Sequence, residues 1–253
     1  MRATIRGQAI VAARTRVSEA AFVLDHAQVS DEAMVYDEAM VFGNARISGT
    51  AIVRDEGQVF GEARVGDTAD VYDTARVYDN ATVNGGAQVS GYSRIYGNAK
   101  IGGKAKVYNA SAFGDACVSD NASVCYNAQV YGNAQVSGDA RVSHANVYDN
   151  ARVYGNASVQ ATVYGNAHVY GNADVHSDAK VYGRARVYDH AKVYGKATVS
   201  GSAEVFGNAQ VNGTAKVFGK ARIGGTAVIL GGAWNGSEGE ILEGRWKAPG
   251  VPA

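Results

Sequence analysis

Val41-Phe42-Gly43-Asn44-Ala45-Arg46-Ile47-Ser48-Gly49-Thr50-Ala51-Ile52 holds two copies of the pattern that the whole chain repeats. An aliphatic residue opens each copy, a glycine follows two places later, and an alanine stands at the fifth place. The same six-residue frame is found in Val71-Tyr72-Asp73-Thr74-Ala75-Arg76, in Val153-Tyr154-Gly155-Asn156-Ala157-Ser158 and in Val217-Phe218-Gly219-Lys220-Ala221-Arg222. It starts at Ile5 and runs to Trp234. Position 1 is Val or Ile in every unit except the one opened by Ala112, and position 5 is alanine except at Thr15, Gly57 and Ser93.

Each preference has a physical cause. A β-branched residue at position 1 suits a short strand and fills a core. Alanine at position 5 points inward near a corner where nothing larger fits. Gly, Asp and Asn at positions 3 and 4 tolerate the positive φ of a tight bend. Positions 2 and 6 flank the buried valine and alternate outward. One unit is therefore a strand plus a corner, and the chain is predicted to be all-β.

Three units are short: Val107-Tyr108-Asn109-Ala110-Ser111, Val142-Ser143-His144-Ala145-Asn146 and Val159-Gln160-Ala161-Thr162. Every third position-2 residue reads Phe42, Phe60, Tyr78, Tyr96, Phe113, Tyr131, Tyr148, Tyr164, Tyr182. The stripe stays aromatic across the short units only if they are corner deletions, so each still counts as one face. Three faces make a coil, and thirty-nine units make about thirteen coils of a parallel β-solenoid over residues 1–234. No unit exceeds six residues, which leaves no extruded loop. Residues 235–253 leave the repeat, and this tail, through Ile241, Leu242 and Trp246, is expected to cap the last coil.

Composition narrows the functional classes. Lys+Arg and Asp+Glu stand at 24 each, so no net field draws in nucleic acid or an acidic membrane surface. Neither a secretory leader nor an eighteen-residue apolar run is visible, and a cytoplasmic protein with no membrane partner is expected. Cys117 and Cys125 offer neither a disulfide framework nor metal-ligand spacing, and no metal is expected.

An aliphatic residue followed four positions later by a small one resembles the bacterial hexapeptide-repeat superfamily. The Tyr-[Gly/Asp]-Asn-Ala flavour, as at Tyr148–Val153 and Tyr154–Val159, looks like a transferase-like branch of enterobacterial and phage-associated proteins. The resemblance implies a left-handed parallel β-helix of triangular section; the hand comes from the resemblance alone. It also implies acyltransferases working as homotrimers, alongside carbonic anhydrases and purely structural members. Fold does not choose among these.

Family acyltransferases carry a catalytic histidine and an extruded loop, and the loop is missing here. His144, at a shortened corner, and His168, on a strand, are the candidates for a general base. A base needs a positioned partner and a cavity, which sequence cannot supply. His26, His176 and His190 complete the set, and a zinc site would need three of them at one junction.

The surface stripes say more. The second face carries Ser30, Ser48, Gly66, Asn84, Gly102, Ser119 and Ser137 in one column, then changes to Tyr154, Tyr170, Tyr188 and Phe206. Beside them run Arg46, Arg64, Thr82, Lys100, Cys117, Gln135, Arg152, His168 and Arg186. Stacked rings stabilise a solenoid by themselves, at about 0.5–1.5 kcal/mol per pair. A long aromatic strip is also an interface signal, as are the outward Phe22, Leu24, Met34 and Met40 of the first coils. The leading expectation is a rigid, non-catalytic rod without a cofactor. It would self-associate or bind a protein partner through its aromatic face or its N-terminal coil. An acyl-CoA-dependent acyltransferase with a site between subunits, and a glycan-binding surface, are the alternatives.

Overall fold

The computed structural model describes residues 3–248 and 251–252, which fall into two compact units, 1–131 and 132–253. In the first unit short strands lie on three parallel sheets. The first face runs from Thr4–Ile5 to Gln129–Val130, the second from Ile10–Val11 to Cys117–Val118, and the third from Arg16–Val17 to Ser123–Cys125. The second unit repeats the arrangement: its second face starts at Gln135–Val136, its third at Arg141–Ser143 and its first at Asn146–Val147. No helix occurs among the described residues. Each unit is a three-faced parallel β-solenoid, consistent with a left-handed parallel β-helix, and no loop is extruded between Ile5 and Trp234.

Register is strict. Gln58 and Val59 pair with Arg76 and Val77 eighteen residues on, so identical positions of the repeat stack along each face. Val59, Val77, Ala63 and Ala81 are fully buried, and this holds at positions 1 and 5 through most of both units. The backbone accounts for its own donors. Phe42 N–H donates to Val59 C=O (3.1 Å), Arg46 N–H to Ala63 C=O (2.9 Å) and Asn44 N–H to Gly61 C=O (2.8 Å). Gly43 N–H donates to the carboxylate of Asp25, one coil earlier (3.0 Å). Aspartate at position 3 therefore both turns the chain and caps the next coil, as Asp31, Asp73 and Asp79 also do.

The corners correct one expectation. Positive φ belongs to position 3 (Gly43 71°, Asp55 56°, Asp79 57°) and not to position 4. Two successive left-handed residues would turn the chain back as a hairpin does; a solenoid corner turns less and needs one. There are two exceptions among the described repeat units: Tyr126 (53°) and Asn127 (62°) are both left-handed, and after Ile229 the positive φ falls on Gly232 (84°) at position 4. Close stacking makes glycine particularly apt at Gly43, where an added Cβ would sit 3.0 Å from Gly61 N.

The two five-residue units drop position 4 and the four-residue unit Val159–Thr162 drops positions 3 and 4; at the first of them the chain compensates locally. At Val107–Ser111 the left-handed residue is Asn109 (49°). Buried Ser93, one coil earlier, accepts from Ala110 N–H (3.3 Å) and donates to Ser90 C=O (2.6 Å). Asn109 Oδ1 accepts from Tyr92 N–H (2.8 Å). The serine that breaks the alanine rule is thus the partner of the deletion seventeen residues on.

The winding also continues past Trp234. Glu240–Ile241 pairs in parallel with Arg222–Ile223, and Arg245–Trp246 with Val228–Ile229, before an antiparallel return at Val251–Pro252. Trp234 takes the inward place of a valine, fully buried, with its indole N–H on Gly231 C=O (2.8 Å). Ile241 is buried and Leu242 exposed; Trp246 meets Trp234 edge-on at 6.1 Å.

Candidate functional site

Outward positions, not the core, distinguish one coil from the next. In the first unit the first-face rings form an unbroken ladder. Centroids of Phe42, Phe60, Tyr78, Tyr96, Phe113 and Tyr131 are 4.7–5.0 Å apart and the planes lie within 5°. In the second unit Tyr148, Tyr164 and Tyr182 stack in the same way at 5.0 and 4.8 Å. The spacing is that of parallel strands, so register alone places each ring over the next. All nine are half-buried, and burial raises the phenol pKa of Tyr78 and Tyr164 above the ordinary tyrosine value. Each interior ring has both faces covered by its neighbours and presents only an edge to solvent.

The second face differs between the units. In the first, small side chains leave a groove of about 330 Å³ along the column Ser30, Ser48, Gly66, Asn84, bordered by Arg46 and Arg64. Arg46 and Arg64 stand in direct register. In the second unit that column is a ladder: Tyr154–Tyr170 at 4.8 Å, Tyr170–Tyr188 at 5.0 Å and Tyr188–Phe206 at 5.5 Å. Phe206 lies over Gly224, where an added Cβ would collide with its ring, and Arg222 covers the ring at 5.2 Å. Here charges alternate. Glu204 binds Arg186 (3.2 Å) and Arg222 (3.6 Å), and Arg222 reaches Glu240 (3.1 Å).

His168 sits in that charged column between Arg152 and Arg186, paired in register with both. It is half-buried, and its ring meets Tyr154 edge-on at 6.2 Å. Burial, then the two guanidinium charges, lower its pKa from the ordinary histidine value and so disfavour the imidazolium. His144 is an exposed corner residue in the left-handed conformation (φ 51°). His176 stacks on Tyr194 at 5.1 Å with Nδ1 3.0 Å from Ser177 Oγ; His26 and His190 are exposed at corners. The structure places these residues on different corners and strands. Among the described residues no three His, Cys, Asp or Glu side chains converge on a metal position. Cys117 and Cys125 are half-buried thiols without a disulfide; burial raises the Cys117 pKa, with Lys100 opposing.

Two features escaped the sequence reading. On the third face Arg54 lies over Tyr72 (4.2 Å) and binds Asp70 (2.9 Å) and Asp55 (3.0 Å), taking the place a stacked ring would have. Tyr92, at the corner above the first deletion, stands out 77% exposed. The seventeen-residue offset between Ser93 and Ala110 was the available signal for that corner.

The class of protein so defined is a three-faced parallel β-solenoid with aromatic outer ladders. A family model described as "YdcK Beta solenoid repeat" matches residues 75–91, 134–147 and 145–160, in agreement with the repeat architecture. None of the curated proteins matches the chain. Among solved structures it is similar to a UDP-N-acetylglucosamine acyltransferase from Arabidopsis, at 16% identity, 78% of this chain, 70% of that one and a TM-score of 0.33. The Francisella novicida UDP-N-acetylglucosamine acyltransferase gives 15%, 78%, 66% and 0.26. Likeness at that level carries no argument about chemistry. No helix among the described residues is long and apolar enough to cross a membrane.

Proposed function

We propose that the chain is an interaction scaffold that self-associates through the aromatic first face. The observation that carries this reading is the unbroken ladder Phe42–Tyr131, whose rings are half-exposed and locked in register. A ridge whose rotamers are already fixed loses little side-chain entropy on docking, which favours association per unit of apolar area. A homotrimer is the assembly that the family resemblance implies, and the finer kinship, to the Tyr-[Gly/Asp]-Asn-Ala branch, belongs to the same proposal. Light scattering after size exclusion tests it. An oligomer that dissociates in Phe60→Ser/Tyr96→Ser supports the scaffold; a monodisperse monomer across the micromolar range overturns it.

A second reading, acyl transfer from acyl-CoA, has one observation on its side. His168 is half-buried and its pKa is lowered by burial and two arginines, a shift toward the unprotonated form that a general base uses. Its charged neighbours in the column are both arginines, which do not orient an imidazole as a carboxylate would. Acyl transfer to an amine or hydroxyl acceptor that is lost in His168→Asn, or in His144→Ala, would establish it. Glycan binding on the ladders fits poorly, because sugar stacking needs open ring faces and the ladder covers them.

A further inference from the structure

Tyr92 is the most exposed of the large apolar and aromatic side chains described, and it joins no ring stack. Its backbone is nonetheless fixed, because its N–H is held by Asn109 Oδ1 at the shortened corner (2.8 Å). Gly91, just before it, donates its N–H to Asp73 Oδ2 (2.9 Å). A rigid main chain thus holds out a ring with an open face. It lines a nook of about 200 Å³ together with Glu56, Gln58, Thr74, Arg76 and Arg94.

Arg76 and Arg94 are in direct register on adjacent strands, and like charges so placed repel. Neither joins an ion pair among the described residues, whereas Arg54, Arg186 and Arg222 all do. Two adjacent guanidiniums not held in an ion pair, with Glu56 the one carboxylate in the lining, suit an incoming carboxylate, which arginine binds in a planar fork. The rest of the rim is of another character. Glu56 only accepts hydrogen bonds, the Gln58 amide can accept or donate, and Thr74 Oγ1, already donating to Gly91 C=O (3.0 Å), retains acceptor capacity. That rim suits hydroxyl donors and repels a densely anionic ligand. The volume is below the roughly 300–1,000 Å³ of a pocket that encloses a whole small molecule, so it fits one ring of a longer chain. The Arg46–Arg64 groove lacks an aromatic wall and carries no such specificity.

We infer that the Tyr92 nook binds an acidic saccharide, with the carboxylate of one sugar on Arg76 and Arg94 and the apolar face of the ring on Tyr92. This site stands apart from the self-association reading: one is read by ligand titration, the other by light scattering, and either can fail alone.

The test is titration of the full chain with oligogalacturonate, followed by calorimetry or by the tyrosine resonances. Wild type is expected to bind, with neutral malto-oligosaccharide of the same length failing to compete. Tyr92→Ala and Arg76→Gln/Arg94→Gln should each weaken binding about tenfold or more, Tyr92→Phe should retain it, and Glu56→Gln should shift it less than threefold. Circular dichroism of each variant guards against misfolding. Absence of wild-type binding overturns the inference, as does binding indifferent to Tyr92 and the arginines. Equal or tighter binding of heparin, enhanced by Glu56→Gln, also overturns it, because that is the signature of unspecific attraction to cations.

Discussion

In each unit the second face keeps its strands in strict register, but the surface it presents differs. In the first unit it is a groove floored by Ser30, Ser48, Gly66 and Asn84 beside the stacked arginines 46 and 64. In the second it is a ladder of Tyr154, Tyr170, Tyr188 and Phe206 beside the alternating Arg186, Glu204, Arg222 and Glu240. Beneath both, the inward residues are the same valine or isoleucine and alanine. The solenoid therefore separates stability from specificity: the inward third of the repeat builds the fold, and the outward positions vary without disturbing it.

The largest effect should show no difference between the units. Ile47 and Ile223 occupy the same inward position of the second face, each 1% exposed, one beneath the groove and one beneath the end of the ladder. Truncation to alanine removes three methyl or methylene carbons and leaves a cavity, at a cost of about 2–5 kcal/mol. Because each coil touches only its neighbours, the loss should appear as reduced amide protection within about one coil of the substitution. Hydrogen exchange on Ile47→Ala and Ile223→Ala should give equal local losses. A loss confined to one unit would break the separation drawn above.

Outward substitutions should be unequal. Tyr170→Ala removes two stacked contacts, at 4.8 and 5.0 Å, and should cost about 1–3 kcal/mol. Ser48→Ala, in the same column of the first unit, should stay within about 0.5 kcal/mol. Ser48→Tyr/Gly66→Tyr sharpens the contrast by building a ladder where there is none. Gly66 has no left-handed strain, and the atom nearest its added Cβ is Ser48 Oγ at 3.3 Å, which the partner substitution removes. The pair should add about 0.5–1.5 kcal/mol to the urea-unfolding free energy. No gain would mean that register alone does not hold rings in a stack.

That division explains what could be read from the sequence. Val or Ile at position 1 and Ala at position 5 do most of the burying, so the strands, the three faces and the first-face ladder were legible, and the short units kept their register. The corner chemistry was legible only in part. Asp, Gly and Asn marked the bends, but the sequence could not tell that one left-handed residue suffices, nor that Asp25 would cap Gly43. Ser93 looked like a blemish because its partner, Ala110, lies one coil away. The winding past Trp234 was hidden because Glu240–Ile241 and Arg245–Trp246 pair as strands without the valine-alanine signature. Candidate sites were least legible. Outward residues pack against neighbours a coil away and not against the core, so Arg54 over Tyr72 and the exposed Tyr92 emerge only when coils are stacked.

The smallest effect concerns charge. Both units place cations in the column beside the small or aromatic residues, but in the second unit His168 lies between two of them. Its pKa is lowered, chiefly by burial and then by Arg152 and Arg186. The folded chain therefore resists a proton that the unfolded chain accepts, and falling pH favours unfolding. The stabilising contribution is complete above the unfolded histidine value of about 6.5 and declines as pH falls toward the folded value. His168→Gln should remove this part of the pH dependence, and thermal melts at pH 7.5 and 5.5 should lie closer together in the variant. Arg152→Gln separates the causes. If burial dominates, the imidazole resonances of His168 should titrate higher than in wild type yet still below an ordinary histidine. A return to the ordinary value would assign the shift to the arginine column, making charge, rather than the half-buried rung, the feature that sets the second unit apart.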